Sequence, residues 1–269
     1  TARWSPVLCE LFDIPLSILP SVLRSNNMGL TLDNGLILRA SVGDQSAALI
    51  ASVGTDEGTA LANLGTGCFV LRNNNKDQAS DYLRSLVYQD EQRHLALEGT
   101  LNSIAAALAP YPVAEVHYDD LAKLDIYALA EPSGLGAPYF NKRLGLQFSA
   151  SVEQIPPQEI AALLLEAVIF RVARIVEEMH CDQPLARICL SGGLSNLDAL
   201  QQGIAQCVPC EVYRLNQSES SLLGTAMLAS DQVLGGLSDT ELISVTNRNS
   251  KLVWKFIGWK RWLDGLLKD

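Results

Sequence analysis

The segment from Gln158 to Cys207 constrains the fold more than any other part of the chain. Ile160, Leu163, Leu164, Ala167, Val168, Phe170, Ile175, Val176 and Met179 recur at spacings of three and four with charges interleaved, which is the period of an amphipathic helix. The apolar run "ARICLSGG" (186–193) follows as a short strand entering two glycines. Next, "SNLDALQQGIAQC" predicts a second helix, with Ser195 and Asp198 in an S-x-x-D capping arrangement at its start. A strand set between helices needs partner strands and helical layers to cover it, so an α/β domain with helices packed on a mixed sheet is expected.

The rest of the chain supplies candidates for those partners. "TALANLG" and "CFVLR" flank Gly65-Thr66-Gly67 and predict a hairpin. "GLILRAS", "LRSLVYQ" and "CEVYRL" have strand character, whereas "DQSAALIASVG" and "ESSLLGTAMLAS" predict small-residue helices. "EGTLNSIAAALAPY" predicts a helix ended by Pro110 and Pro112, and a polar loop is expected from Asn73 to Ser80. Residues 1–27 predict a short helix around Ser5 to Phe12 and then a segment broken by Pro15 and Pro20, which we expect to be a hinge or linker from an upstream domain. Residues 28–269 form the expected globular domain.

A formal net charge of −10 disfavours a polyanionic partner, since nucleic-acid binding rests largely on Lys and Arg neutralising phosphates. It leaves room for a small phosphorylated ligand, which needs only a few oriented N–H groups. No apolar stretch is long enough to span a bilayer, so no membrane association is expected. The six cysteines show neither zinc-finger spacing nor a disulfide framework, which predicts reduced thiols and a cytoplasmic protein. His94, His117 and His180 are scattered without ligand spacing, and no protein-held metal is expected. In the tail, Trp254, Trp259 and Trp262 fit a docked terminal helix better than an interfacial membrane helix.

Three short motifs carry possible chemistry. In Gly43-Asp44-Gln45 an aspartate follows a strand and opens a helix, where it could accept a proton from a hydroxyl or serve only as an N-cap. In Asn63-Leu64-Gly65-Thr66-Gly67-Cys68-Phe69 the glycines let backbone N–H groups approach an anion and Thr66 adds a donor, although a hairpin turn requires glycines in any case. In Leu190-Ser191-Gly192-Gly193-Leu194-Ser195-Asn196 a strand delivers two glycines to a predicted helix N-terminus, able to meet a nucleotide or merely to permit helix packing. This is neither G-x-G-x-x-G nor a Walker motif.

In this order and at these intervals the three motifs are far more specific than any one alone. "GDQSAALIASVGTDEGTALANLGTGCFVLRN", "GLGAPYFN" and "LSGGLSNLDALQQGIAQCVPCEVYRLNQSESSLLGTAMLAS" together resemble the C-terminal, nucleotide-side half of the FGGY family of carbohydrate kinases, closest in motif to the glycerol kinases. The resemblance implies a ribonuclease H-like fold of the actin and hexokinase type. It implies Asp44 as catalytic base assisted by Gln45, and Gly65, Thr66 and Gly67 at the phosphates of ATP. Gly192, Gly193 and Asn196 would line the adenine and ribose site, with Mg²⁺ carried by the nucleotide. Departures occur at Ser149, where the family has glycine, and at Leu163, where it has a small residue. The Asp-x-Gly-Thr phosphate loop of the family's N-terminal domain is absent from the sequence. The expected activity is therefore ATP-dependent phosphorylation of a sugar or polyol hydroxyl, with an N-terminal domain in the same or another chain as partner and a homo-oligomer possible. The competing expectation is a nucleotide-binding or interaction module that no longer catalyses.

Overall fold

Alternation along the apolar runs sends Ala60, Ala62 and Leu64 into one hydrophobic cluster and Leu61 into another. Ile188 and Leu190 are divided from Cys189 in the same way. Each of these strands is thus buried on both faces, as the centre of a helix-covered sheet must be. The computed structural model describes residues 3–76, 80–216, 219–232, 239–245 and 247–268.

The chain opens with α1 (Pro6–Leu11), capped by the Ser5 side chain, and a small ladder of β1 (Leu30–Thr31) with β2 (Ile37–Leu38). α2 (Asp44–Val53) leads to the hairpin β3 (Thr59–Leu64) and β4 (Cys68–Asn73), then β5 (Leu83–Gln89), β6 (Arg93–Leu101) and α3 (Ile104–Leu108). A turn-rich region contains the ladder β7 (Ala128–Leu129) with β8 (Gln147–Phe148) and ends at α4 (Pro157–Asp182). There follow β9 (Arg187–Ser191), α5 (Asp198–Cys207), β10 (Glu211–Leu215), α6 (Ser220–Ala229), β11 (Thr240–Leu242) and α7 (Ser250–Leu266). The main sheet has seven strands in the order β11-β10-β9-β3-β4-β6-β5. β3, β9 and β10 run parallel and the remaining pairings are antiparallel. Side chains of α3, α4, α5 and α7 fill one face, and those of α2 and α6 fill the other.

Most elements lie where the sequence places them, and three expectations are corrected. Residues Glu98 to Leu101, expected to begin a helix, instead complete β6, which pairs with β4 on one side and β5 on the other. Gly99 lets this strand lie flat against α4, since a Cβ there would come within 2.7 Å of Ile175 Cγ2. Only after Ser103, at φ 56°, does the short helix α3 start. Ser195 likewise does not cap α5. Its hydroxyl donates to the Gly192 carbonyl at 2.7 Å within a 3₁₀ turn over Gly193–Asn196, and α5 starts at Asp198. The strand character of "GLILRAS" is confined to Ile37–Leu38, and residues 77–79 of the expected polar loop lie outside the described residues.

Polar contacts fix how the layers sit. The Arg72 guanidinium, fully buried, donates to the carbonyls of Met179 and Gln183 and so closes the C-terminal end of α4. Glu166 on α4 pairs with Lys255 on α7 and accepts from the Ala122 N–H, while Trp259 Nε1 donates to the Ala128 carbonyl at 2.9 Å. α7 is thereby docked through Leu252, Phe256, Trp259 and Leu263, with Trp254 left 72% exposed.

The turn-rich loop is held from within. Arg171 Nε donates to Glu131 Oε1 at 2.8 Å, and both side chains are buried. Glu131 Oε2 accepts the N–H groups of Asn102 and Gly136, and Arg171 also donates to the Thr100 carbonyl. Removing the acid would strand a buried guanidinium and two backbone donors. Glu131→Ala is therefore expected to lower stability by about 3–5 kcal/mol, read as a shift of the urea midpoint with unchanged m-value.

Candidate functional site

Parallel pairing makes β3 and β9 end at the same edge of the sheet, with Asn63 opposite Ser191. The two glycine motifs follow directly, so strands far apart in sequence release their turns side by side. Such a strand edge is where open α/β sheets bind ligands. Gly192, at φ 87°, crosses over the end of β3 so closely that a Cβ would lie 2.4 Å from the Leu64 carbonyl oxygen and 2.7 Å from Asn63 Oδ1. Gly193 faces open space. A cleft of about 350 Å³ lies here, lined by Asn63, Ser191, Gly192, Gly193, Ser195 and Asn196 together with Leu215, Asn216, Ser220 and Ser221.

Two helix N-termini meet at this cleft. Ser221 Oγ donates to the Asp44 carbonyl at 3.0 Å, and one turn further on a Cβ at Gly224 would fall 1.8 Å from the Ala47 carbonyl oxygen. α2 and α6 therefore run side by side in the same direction in near-contact, which their small residues permit. Both dipoles present their positive ends to the same edge, a setting that favours an anion. Asp44 is not the N-cap. Gly43 takes that place and Asp44 is the first helical residue, exposed, with its Oδ1 accepting the Gln45 N–H at 2.9 Å. Gln45 is tied to the sheet by Asn63 Nδ2, which donates to Gln45 Oε1 at 3.0 Å.

The Gly65–Gly67 turn closes on itself through a Gly65 N–H donating to the Gly67 carbonyl, and α3 props it through the Ala105 N–H donating to the Thr66 carbonyl. Gly67 lies against β6, where a Cβ would meet the Leu101 carbonyl oxygen at 2.7 Å. Thr66 is exposed, and its hydroxyl has no hydrogen-bond partner among the described residues. Thr66 does not line the cleft itself. Its turn adjoins the cleft through Leu64, the residue beneath Gly192. Cys68, next in the chain, is buried, and desolvation pushes its thiol far above the usual range, so it is no nucleophile. Burial likewise pushes Cys189 up to about 11 and Cys207 and Cys210 up to about 12.

The structure thus brings Asp44, Gln45, Gly192, Gly193 and Asn196 to one edge, with Gly65–Gly67 beside them. The sequence motifs included Asn63 and Ser191 but gave them no role, and the structure adds both as lining residues. Their signal was their position, each just before a glycine turn. Ser220 and Ser221 carried no comparable signal.

The model for the FGGY family of carbohydrate kinases, C-terminal domain, matches residues 60–231, and the chain belongs to that family. A glycerol kinase from Rhodopseudomonas palustris is 29% identical over 257 residues, 85% of this chain and 51% of the relative. The chain spans about half the length of the curated relatives it matches. Among solved structures, a Plasmodium falciparum glycerol kinase with ADP superposes with a TM-score of 0.77 at 20% identity, covering 98% of this chain and 59% of that one. A xylulose kinase from Rhodospirillum rubrum gives 0.69 at 17% identity, covering 97% and 59%. The fold is accordingly the actin and hexokinase type, and the chain is the C-terminal domain of such a protein.

The crossing at Gly192 is directly testable. Gly192→Ala combines positive φ with a clash against backbone and is expected to destabilise by at least about 1–3 kcal/mol. Gly193→Ala, with open space at its Cβ, is expected to change stability by less than about 0.5 kcal/mol in the same urea titration.

Proposed function

We propose that this chain supplies the nucleotide half-site and the proton acceptor for ATP-dependent phosphorylation of a sugar or polyol hydroxyl. The observation that carries the reading is the convergence of Asp44, Gln45, Asn63, Gly192 and Gly193 at one strand edge under two helix N-termini. Phosphoryl transfer asks a protein chiefly to position the reactants, to stabilise charge and to orient the attacking oxygen. The exposed Asp44 carboxylate is placed to accept the acceptor hydroxyl's proton, and the Gly-Thr-Gly turn presents Thr66 Oγ1 and backbone N–H groups to the phosphates. Gly192, Gly193 and Asn196 line the space for the nucleoside.

Among the described residues no group of three or more His, Cys, Asp or Glu side chains is placed to hold a metal ion. In this reading Mg²⁺ comes with the triphosphate and neutralises its oxygens, the usual requirement of the chemistry. No helix among the described residues is long and apolar enough to cross a membrane. The six cysteines are unpaired, which fits a reducing cytoplasmic setting.

The second half of the active site would come from a partner domain in the same or another chain. Supporting this, Val7, Leu11, Phe12 and Ile18 are each between 65% and 72% exposed, and Leu36 and Ile37 are more than half exposed. Around Ser25 the chain joins the domain: the Ser25 N–H donates to the Gln89 carbonyl of β5, the Asn26 side-chain Nδ2 donates to Asp231 Oδ1 just after α6, and the Met28 N–H donates to the Arg39 carbonyl. That is where we place the boundary between a linker (1–27) and the nucleotide domain (28–269).

Asp44→Asn in the full-length product of the gene encoding this chain is expected to keep ADP affinity in calorimetry. Turnover in a coupled assay should fall by about 100-fold or more, because the amide cannot take the proton. Near-normal turnover would overturn the assignment. The chain of 269 residues alone is expected to bind ADP weakly and to consume no ATP in the presence of sugars or polyols, since a one-sided site leaves the acceptor unpositioned. Sugar-dependent ATP consumption by it would refute the two-domain account. A full-length protein that binds ADP but phosphorylates no sugar or polyol would favour the non-catalytic module.

A further inference from the structure

Gln45 is half-buried at the cleft edge and its side-chain amide is held at one end only. Asn63 Nδ2 donates to its Oε1 at 3.0 Å, while its Nε2 has no partner among the described residues. An amide that accepts from the protein at its oxygen turns its two N–H donors the other way. Asn63 itself is committed by what surrounds it. It sits in register with Ser191 on the neighbouring parallel strand, yet the buried Ser191 hydroxyl has no hydrogen-bond partner among the described residues, so β9 does not compete for the Asn63 amide. Gly192 makes the room, since a Cβ there would lie 2.7 Å from Asn63 Oδ1.

We propose that Asn63 is a positioning residue for phosphoryl transfer, acting through Gln45 by holding that amide with its N–H groups free for an anionic or attacking oxygen. This rests on the kinase reading above. Asn63 lines the cleft, but the role assigned to it here runs through Gln45. It selects which end of Gln45 the reactants meet, and a preorganised donor stabilises developing charge without reorganising during the step. Without Asn63 the amide rotates, and part of the time it offers an oxygen to the phosphates instead.

The test is a double-mutant cycle in the full-length protein, with turnover, KM for ATP and thermal melting measured for every variant. Asn63→Leu, close in size but unable to donate, is expected to lower kcat about tenfold with KM for ATP changed less than about twofold. In a Gln45→Ala background the same substitution is expected to change kcat by less than about twofold, because its route of action is gone. Gln45→Glu can still accept from Asn63 yet offers no donor, so it is expected to lose kcat at least as strongly while melting like the wild type. Equal losses from Asn63→Leu in both backgrounds, or wild-type turnover in Gln45→Glu, would overturn the proposal. Asp44→Asn separates the two readings. If that variant is inactive while Gln45→Glu is unimpaired, only this inference fails, and if Asp44→Asn keeps wild-type turnover the assignment of Asp44 as proton acceptor fails as well.

Discussion

The buried contact between Glu131 and Arg171 is the interaction on which the arrangement of the layers depends. It joins a loop to the longest helix across 40 residues of sequence, and Glu131 Oε2 and Arg171 Nη2 bond the backbone around Asn102, Gly136 and Thr100, while Arg171 Nη1 has no hydrogen-bond partner among the described residues. One ion pair therefore sets the position of α4, the end of β6 and the turn-rich loop. Replacing a buried ion pair with apolar groups is often neutral for stability, but here the carboxylate also satisfies two N–H groups that would otherwise be stranded. The benefit is geometric. With β6 fixed, Leu101 can receive Gly67, and the Gly-Thr-Gly turn has a floor to rest on.

On the other face, control is exercised by the absence of side chains. α2 and α6 approach until Gly224 rests on the Ala47 carbonyl, and β9 crosses the end of β3 at Gly192. These two contacts bring backbone dipoles within reach of one cleft. The candidate site is consequently built largely from main chain, and on the proposed reading Asp44, Gln45 and Thr66 supply its side-chain chemistry while Asn63 holds Gln45 in place. Such a site can be reached by quite different sequences, in keeping with solved relatives of the same fold at 20% identity or less.

What could be read from the sequence was local. The β3–β4 hairpin, α2, α4, β9, β10, α6 and α7 each announce themselves by period, by a terminating glycine or by small-residue composition, and each appears within a few residues of its expected limits. β6 was hidden, although its partner β5 lies just before it in the chain, because the alanines after Ser103 lend the region a helical look. The S-x-x-D pattern at Ser195 misled because the Gly192 carbonyl, brought close by the 3₁₀ turn, offered a nearer acceptor than a helix N–H offered a donor. Glu131 with Arg171, and Asn63 with Gln45, belong to no spacing rule. They exist only once non-neighbouring elements have met, and so the candidate site was legible as three motifs but not as one connected object.

The same topology dictates an order of assembly. β3 pairs with β4 through a two-step reversal of the chain, but its other neighbour, β9, begins at Arg187, well over a hundred residues later. During synthesis the antiparallel half of the sheet can form early and must then wait with an open, apolar edge, the condition in which strands pair with the wrong chain. Loop-closure entropy makes that long-range pairing the slow event. The strand ends at the candidate cleft are therefore the last part of the sheet to exist, and any nascent chain released before β9 arrives carries an unfinished edge there.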